Sequence, residues 1–286
     1  MKTELVNLYQ KLGIFAPDGA RGFLRCYTVE TSAEVSGCRE KPAVLILPGG
    51  GYGRTSAREM EPVALRFLAR GYAAFVLEYS CAPFAFPVPL REAAMAVRFI
   101  RENAKHFGVG ADMVAAVGFS AGGHLCGMLG TLYNSLEVAD LGSPTLLRPD
   151  VLGLCYPVAV SWGRTHEGSF HNISGGSEEI AERLSLEKLV QSDMPPVFLW
   201  HTRDDASVPC RNSLILASAL EEAGVDFVLH IHHKGVHGLS TADETVYPVY
   251  AMPKASAGVR NWPEDMMDFF ADCGLQIRDR RMGEQV

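Results

Sequence analysis

A mostly parallel β-sheet covered by helices on both faces is predicted for this chain of 286 residues. Three features carry that reading. Short β-rich runs alternate with helical ones, which is the order of α/β proteins. The strand runs are apolar throughout rather than alternating, as in strands buried on both faces. One of them, Met113–Val117, gives way to a helix across Gly118-Phe119-Ser120-Ala121-Gly122, a sharp turn with a serine at its apex.

The strand expectations, in order, are Gly22–Glu30, Ala43–Leu47, Ala73–Tyr79, Met113–Val117, Val151–Tyr156, Val197–Thr202 and Val225–His232. The helix expectations are Glu61–Arg70, Leu90–His106, Ala121–Tyr133, Arg211–Ala223 and Pro263–Cys273. Leu90, Ala94 and Val97 follow the i, i+4, i+7 spacing of a buried face, with Arg91, Arg98 and Glu102 on the outer side. Leu125, Met128, Leu129 and Leu132 do the same after the serine turn. A hairpin is expected before Ala43. Ser161–Gln191 and Thr241–Asn261 fit no element of the sheet and are read as a small cap insertion and a rim or subunit-contact insertion, leaving room for a homo-oligomer.

Composition bounds the function. The chain is 48% hydrophobic and 21% charged, ordinary for a globular protein with a large core. No low-complexity stretch or internal repeat divides it, so one domain over 1–286 is expected. The net charge of −7 argues against nucleic acid or an anionic membrane as partner. The first residues lack an apolar signal region and no run reaches membrane-spanning length, so a cytoplasmic protein is expected. The 7 cysteines are odd in number and form no CxxC pair. Reduced thiols are the simplest reading, with Cys81, Cys126 and Cys155 as small core residues.

Ligands of such sheets bind beyond the carboxyl ends of the strands, and the chemistry-bearing residues fall there. Gly118-x-Ser120-x-Gly122 is the pattern of a nucleophile elbow, whose tight turn lifts a serine clear of the backbone. After Val197–Thr202 comes Arg203-Asp204-Asp205-Ala206-Ser207-Val208-Pro209. After Val225–His232 comes Lys234-Gly235-Val236-His237-Gly238. His237 would take the Ser120 proton, and a carboxylate would hold its tautomer. Asp205 is preferred to Asp204 because Asp-x-x-Val-Pro leads directly into the next helix, leaving Asp204 as a solvated or turn-capping acid. Pro48-Gly49-Gly50-Gly51-Tyr52-Gly53 follows the second strand and lacks the spacing of a nucleotide loop. The N–H groups that its glycines expose, with that of Ala121, suit an oxyanion.

Other residues have plainer expectations. His230, His232, His233 and His237 cluster at a strand end without a cysteine or paired carboxylate, so no metal site is expected. His124 is read as a packed, hydrogen-bonded residue. Phe84 and Phe86, in the proline-rich turn 83–89, are candidates for a wall of the acyl pocket.

In these stretches the chain resembles the α/β-hydrolase esterases of the bacterial acetyl-esterase and acetylxylan-esterase type, relatives of the hormone-sensitive-lipase-like carboxylesterases. The likeness runs from Pro42–Tyr52 through Leu77–Pro83, Gly118–Leu125, Tyr156–Val158 and Pro195–Thr202 to Gly235–Leu239. It departs at Pro48, where many relatives carry histidine. The resemblance implies an α/β-hydrolase fold of about eight strands with a small cap. It implies Ser120 as nucleophile, Asp205 as acid, His237 as base, and Gly50, Gly51 and Ala121 as oxyanion donors. Tyr52, Phe84, Phe86 and Tyr156 become candidate substrate contacts. The expected activity is hydrolysis of short acyl esters, acetyl above all, of sugars or xylo-oligosaccharides, with no metal or organic cofactor. Arylformamidase, feruloyl esterase or peptidase activity would use the same machinery. A non-catalytic binding protein of this fold would ordinarily have lost one of the three residues.

Overall fold

The computed structural model describes residues 1–30, 34 and 39–279. Its strands are β1 (Lys2–Asn7), β2 (Phe23–Thr28), β3 (Arg39–Leu47), β4 (Ala73–Glu78), β5 (Val109–Phe119), β6 (Val151–Cys155), β7 (Val197–Thr202), β8 (Phe227–His232) and β9 (Arg278–Asp279). Its helices are α1 (Leu8–Leu12), α2 (Glu61–Ala69), α3 (Val88–Glu102), α4 (Ala104–Phe107), α5 (Ala121–Leu132), α6 (Pro144–Leu147), α7 (Glu167–Ser174), α8 (Glu178–Arg183), α9 (Leu186–Leu189), α10 (Arg211–Glu222) and α11 (Trp262–Asp272). The main sheet runs β1-β2-β4-β3-β5-β6-β7-β8, and β9 adds to β3 as an antiparallel stub. From β4 to β8 every pairing is parallel, while β1/β2 and β2/β4 are antiparallel.

The apolar strands feed two cores because successive side chains point to opposite faces. In β3, Leu45 and Leu47 enter the face covered by α3, α5 and α10. Val44 and Ile46 enter the other, beneath α2 and α11. A strand with both faces buried needs no polar alternation, and this is why these strands read as unbroken apolar runs. α3 buries Leu90, Ala94, Val97 and Ile100.

Two elements differ from expectation. β1 is a real edge strand, although Lys2-Thr3-Glu4-Leu5 is largely exposed and carries little apolar pattern. It pairs with β2 through the intervening α1, so the expected hairpin is an antiparallel pair with a helix in its connection. The helix expected over Leu90–His106 divides at Asn103, where a non-helical backbone separates α3 from α4. The segment 161–191 forms α7, α8 and α9, and 241–261 is irregular apart from two short 3-10 turns. Among the described residues no helix is long and apolar enough to cross a membrane, and six cysteines are free thiols. Cys38 lies outside the described residues.

Candidate active site

Five parallel strands deliver the site, each at its carboxyl end: the glycine loop after β3, Ser120 after β5, Tyr156 after β6, Asp205 after β7 and His237 after β8. Ser120 sits at φ 55°, ψ −118°, a conformation L residues avoid unless the surroundings enforce it. The flanking glycines are steric requirements. A Cβ on Gly118 would lie 2.1 Å from the Gly122 carbonyl oxygen, and one on Gly122 would lie 2.1 Å from that of Leu47. The turn can therefore close only without side chains at these two positions.

His237 bridges the serine and an acid. Its Nε2 lies 2.8 Å from Ser120 Oγ and its Nδ1 lies 2.7 Å from Asp205 Oδ2. Asp205 is buried, and its Oδ1 accepts the N–H groups of Ser207 and Val208, each at 2.9 Å. Burial alone would raise the Asp205 carboxyl. Hydrogen bonds from His201 and His237, the charge of His237 and the Val208 N–H outweigh it and hold the group well below the usual carboxylate range. An ionised acceptor on Nδ1 fixes that nitrogen as the donor and leaves Nε2 to accept the serine proton. Asp204 is exposed and does other work: its Oδ1 accepts the Gly235 N–H at 2.6 Å, tying the β7 turn to the loop that carries His237.

The glycine loop is shaped by the same close packing. Gly50 and Gly51 have φ of 126° and 65°, and a Cβ on Gly50 would meet the Arg54 carbonyl oxygen at 2.2 Å. Among the described residues the N–H groups of Gly50, Gly51 and Ala121 have no protein acceptor. Gly50 and Gly51 line the Ser120 cleft, and Ala121 opens α5, where the helix dipole favours negative charge.

Several residues that matter here were not singled out from the sequence. Glu59 is buried and takes the Gly49 N–H at 2.7 Å on Oε2 and the Tyr156 hydroxyl at 2.8 Å on Oε1. Burial pushes its carboxyl up, against the hydrogen bonds of Tyr156 and Gly49. Tyr156 in turn accepts the Ser240 N–H at 2.9 Å, three residues beyond His237. Glu59 thus joins the glycine loop to the histidine loop through one phenol. His201 is fully buried, with Nε2 2.8 Å from the Val208 carbonyl and 3.4 Å from Asp205 Oδ2, so its proton is on Nε2, facing the acid. His166 caps α7, its Nδ1 accepting the Ser169 N–H at 3.2 Å, and lines the same cleft as His237.

The aromatic residues expected to contact substrate are placed differently. Tyr52 is fully buried and its hydroxyl meets His124 Nδ1 at 2.8 Å. Tyr156 is equally buried, its ring edge-on to the His237 ring at 5.1 Å. Both hydroxyls find partners inside the protein, so both rings turn inward and support the site from behind. Phe86 packs under the Arg183 guanidinium at 4.9 Å. Phe84 lines a cavity of about 380 Å³ beside the cleft, on the far side of Arg54. His124 bonds Tyr52 and the Leu184 carbonyl, and its full burial lowers its pKa to about 4. His230 lies 3.6 Å from Asp265 at the surface, with the His232 ring 6.3 Å away.

The cleft around Ser120 encloses about 280 Å³. The segment 161–191 closes one side: Asn172 Nδ2 donates to the Gly51 carbonyl at 2.8 Å. A larger cavity of about 560 Å³ lies within that segment, lined by Trp162, Phe170 and His171 among others, and does not include Ser120.

Residues 34–144 match the family profile BD-FAE, and residues 160–272 match that of the Prolyl oligopeptidase family. The chain is 36% identical over 219 residues to endo-1,4-beta-xylanase B of Butyrivibrio fibrisolvens, covering 73% of this chain and 34% of that protein. It is 30% identical over 204 residues to an acetylxylan esterase of Xylanibacter ruminicola, covering 68% and 40% respectively. It thus spans little more than a third of the length of these curated relatives. Over nearly the whole of both chains it resembles the crystal structure of an acetyl ester-xyloside bifunctional hydrolase from Caldicellulosiruptor lactoaceticus, with a TM-score of 0.78, 33% identity, and coverage of 95% and 97%.

Proposed function

The chain belongs to the α/β-hydrolase esterases of the bacterial acetyl-esterase and acetylxylan-esterase type, and on that premise we propose that it is a serine carboxylesterase acting on short acyl esters, acetyl above all, of sugars or xylo-oligosaccharides. The single observation that carries this reading is the continuous relay from Asp205 through His237 to Ser120, at 2.7 and 2.8 Å.

In the proposed reaction Ser120 Oγ attacks the ester carbonyl as its proton passes to His237 Nε2. Charge gathers on the former carbonyl oxygen, which the free N–H groups of Gly50, Gly51 and Ala121 receive. Collapse breaks the ester C–O bond, and the imidazolium returns its proton to the leaving alcohol. A water molecule, deprotonated by His237, then attacks the acyl-enzyme; the second collapse frees the acid and restores Ser120. Asp205 stays ionised throughout and stabilises the imidazolium. The chain's own residues supply each step without a cofactor. The cleft of about 280 Å³ suits a short acyl group better than a long one.

Peptide hydrolysis is a second reading, favoured by the match of residues 160–272 to the Prolyl oligopeptidase family. One panel separates the two. 4-Nitrophenyl acetate, butyrate and decanoate, acetylated xylo-oligosaccharides and an Ala-Pro 4-nitroanilide are each offered to wild type and Ser120→Ala. The esterase reading expects turnover falling with acyl length, release of acetate from the oligosaccharides, and loss of both in the variant. Amide cleavage without ester preference would overturn it.

A further inference from the structure

The mouth of the Ser120 cleft is cationic although the chain as a whole carries −7. Arg54 and Arg58 both line it, on the loop that also supplies Gly50 and Gly51. Four other arginines are spent on carboxylates: Arg21 on Glu78, Arg66 on Asp243, Arg70 on Glu264 and Arg260 on Glu244. Among the described residues Arg54 and Arg58 have no such partner. The one acid lining the cleft, Glu59, is buried, with both oxygens occupied by Tyr156 and Gly49.

Arg58 is also held in place. Its NH1 donates to the Tyr247 hydroxyl at 2.9 Å, which itself donates to the Gly238 carbonyl at 2.6 Å. A Cβ on Gly238 would lie 3.6 Å from Arg58 NH2, so the guanidinium sits against the residue following His237. Among the described residues its remaining N–H groups have no protein acceptor. Arg54 lines both the cleft and the adjoining cavity of about 380 Å³. A substrate reaching from Ser120 into that cavity passes Arg54.

Uncommitted guanidinium groups beside a reaction centre match carboxylate geometry and are pre-organised to bind it. We infer that the ester this site takes carries an anionic group, a carboxylate held by Arg54 and Arg58, on either its acyl or its alcohol part. This rests on the esterase reading above and names its substrate class more narrowly. For a sugar ester, the class is an acetylated oligosaccharide bearing a uronate.

Matched pairs test it, as ratios of kcat/KM at low ionic strength. For the acyl side the pair is the 4-nitrophenyl monoester of adipate against 4-nitrophenyl hexanoate. For the alcohol side it is acetylated xylo-oligosaccharide with and without a 4-O-methylglucuronosyl branch. The anionic member is expected to be favoured by roughly tenfold in one arm, the weight of one charge-assisted hydrogen bond. That ratio should fall toward unity in the double variant Arg54→Gln/Arg58→Gln, and in wild type at 0.5 M salt, since both groups are exposed. Calorimetry reads the same preference without turnover, comparing adipate with hexanediol and the uronate-bearing xylotriose with plain xylotriose on Ser120→Ala. A binding preference without any hydrolysis by wild type would fault the esterase reading alone. Ratios at or below one in both arms and in calorimetry, or a preference the double variant retains, would overturn the inference.

Discussion

Asp205 Oδ2 lies 2.7 Å from His237 Nδ1, while its sequence neighbour Asp204 points the other way and binds the Gly235 amide. Both acids therefore hold the same loop, one through a side chain and one through backbone. Asp205→Asn should leave His237 in the wrong tautomer and lower kcat by roughly 10⁴-fold. Asp204→Asn leaves a neutral oxygen to accept the Gly235 N–H, weakens that anchor by about 1 kcal/mol, and should cost less than about tenfold. Steady-state kinetics on 4-nitrophenyl acetate separate them; equal losses would contradict the assignment.

Glu59 joins the glycine loop to the histidine loop through Tyr156. Glu59→Ala strips the Gly49 N–H and the Tyr156 hydroxyl of their acceptor inside the core. Loss of stability of about 2 to 4 kcal/mol is expected from two unsatisfied buried donors. Because the loops lose their common tie, kcat should fall more than KM rises. Denaturant unfolding and kinetics check both halves, and a variant as stable and active as wild type would remove Glu59 from this role.

His124 predicts a pH dependence of stability. Burial lowers its pKa from the ordinary 6.5 to about 4. Between those values the unfolded chain binds a proton that the folded chain refuses. Stability is thus fully present above pH 6.5 and falls as pH drops toward 4, by about 3 kcal/mol from this residue. His124→Gln should flatten the slope of stability against pH across that window. Unfolding midpoints at pH 4.5, 5.5, 6.5 and 7.5 provide the test, and parallel slopes for the two proteins would refute it.

Much of the frame is legible in the sequence, because buried parallel strands must be apolar and a tight strand-to-helix turn must be glycine-flanked. Ser120, Asp205 and His237 stand out since each lies just past such a strand. The supporting residues do not stand out, for physical reasons. Glu59 lies in Ala57-Arg58-Glu59, a polar 3-10 turn that reads as surface; its burial depends on Tyr156, 97 positions away. His201 looks like one more residue of β7 until the turn folds Asp205 back beside it. Tyr52 and Tyr156 invite a substrate role by following motif residues, yet both adopt positive φ, 57° and 37°, and both rings turn inward. No period or composition signals that choice. β1 is missed because an edge strand with one half-exposed face carries little apolar pattern, and its pairing with β2 rather than its own sequence makes it a strand.

The account depends on Ser120 being the group that His237 activates, and covalent trapping tests this most directly. Wild type and His237→Ala are treated with a fluorophosphonate, digested, and the modified peptide identified by mass spectrometry. The account predicts one adduct per chain on Ser120 in wild type, formed in step with loss of esterase activity, and negligible labelling in the variant. An adduct on another residue, or full activity after Ser120 is modified, would contradict it.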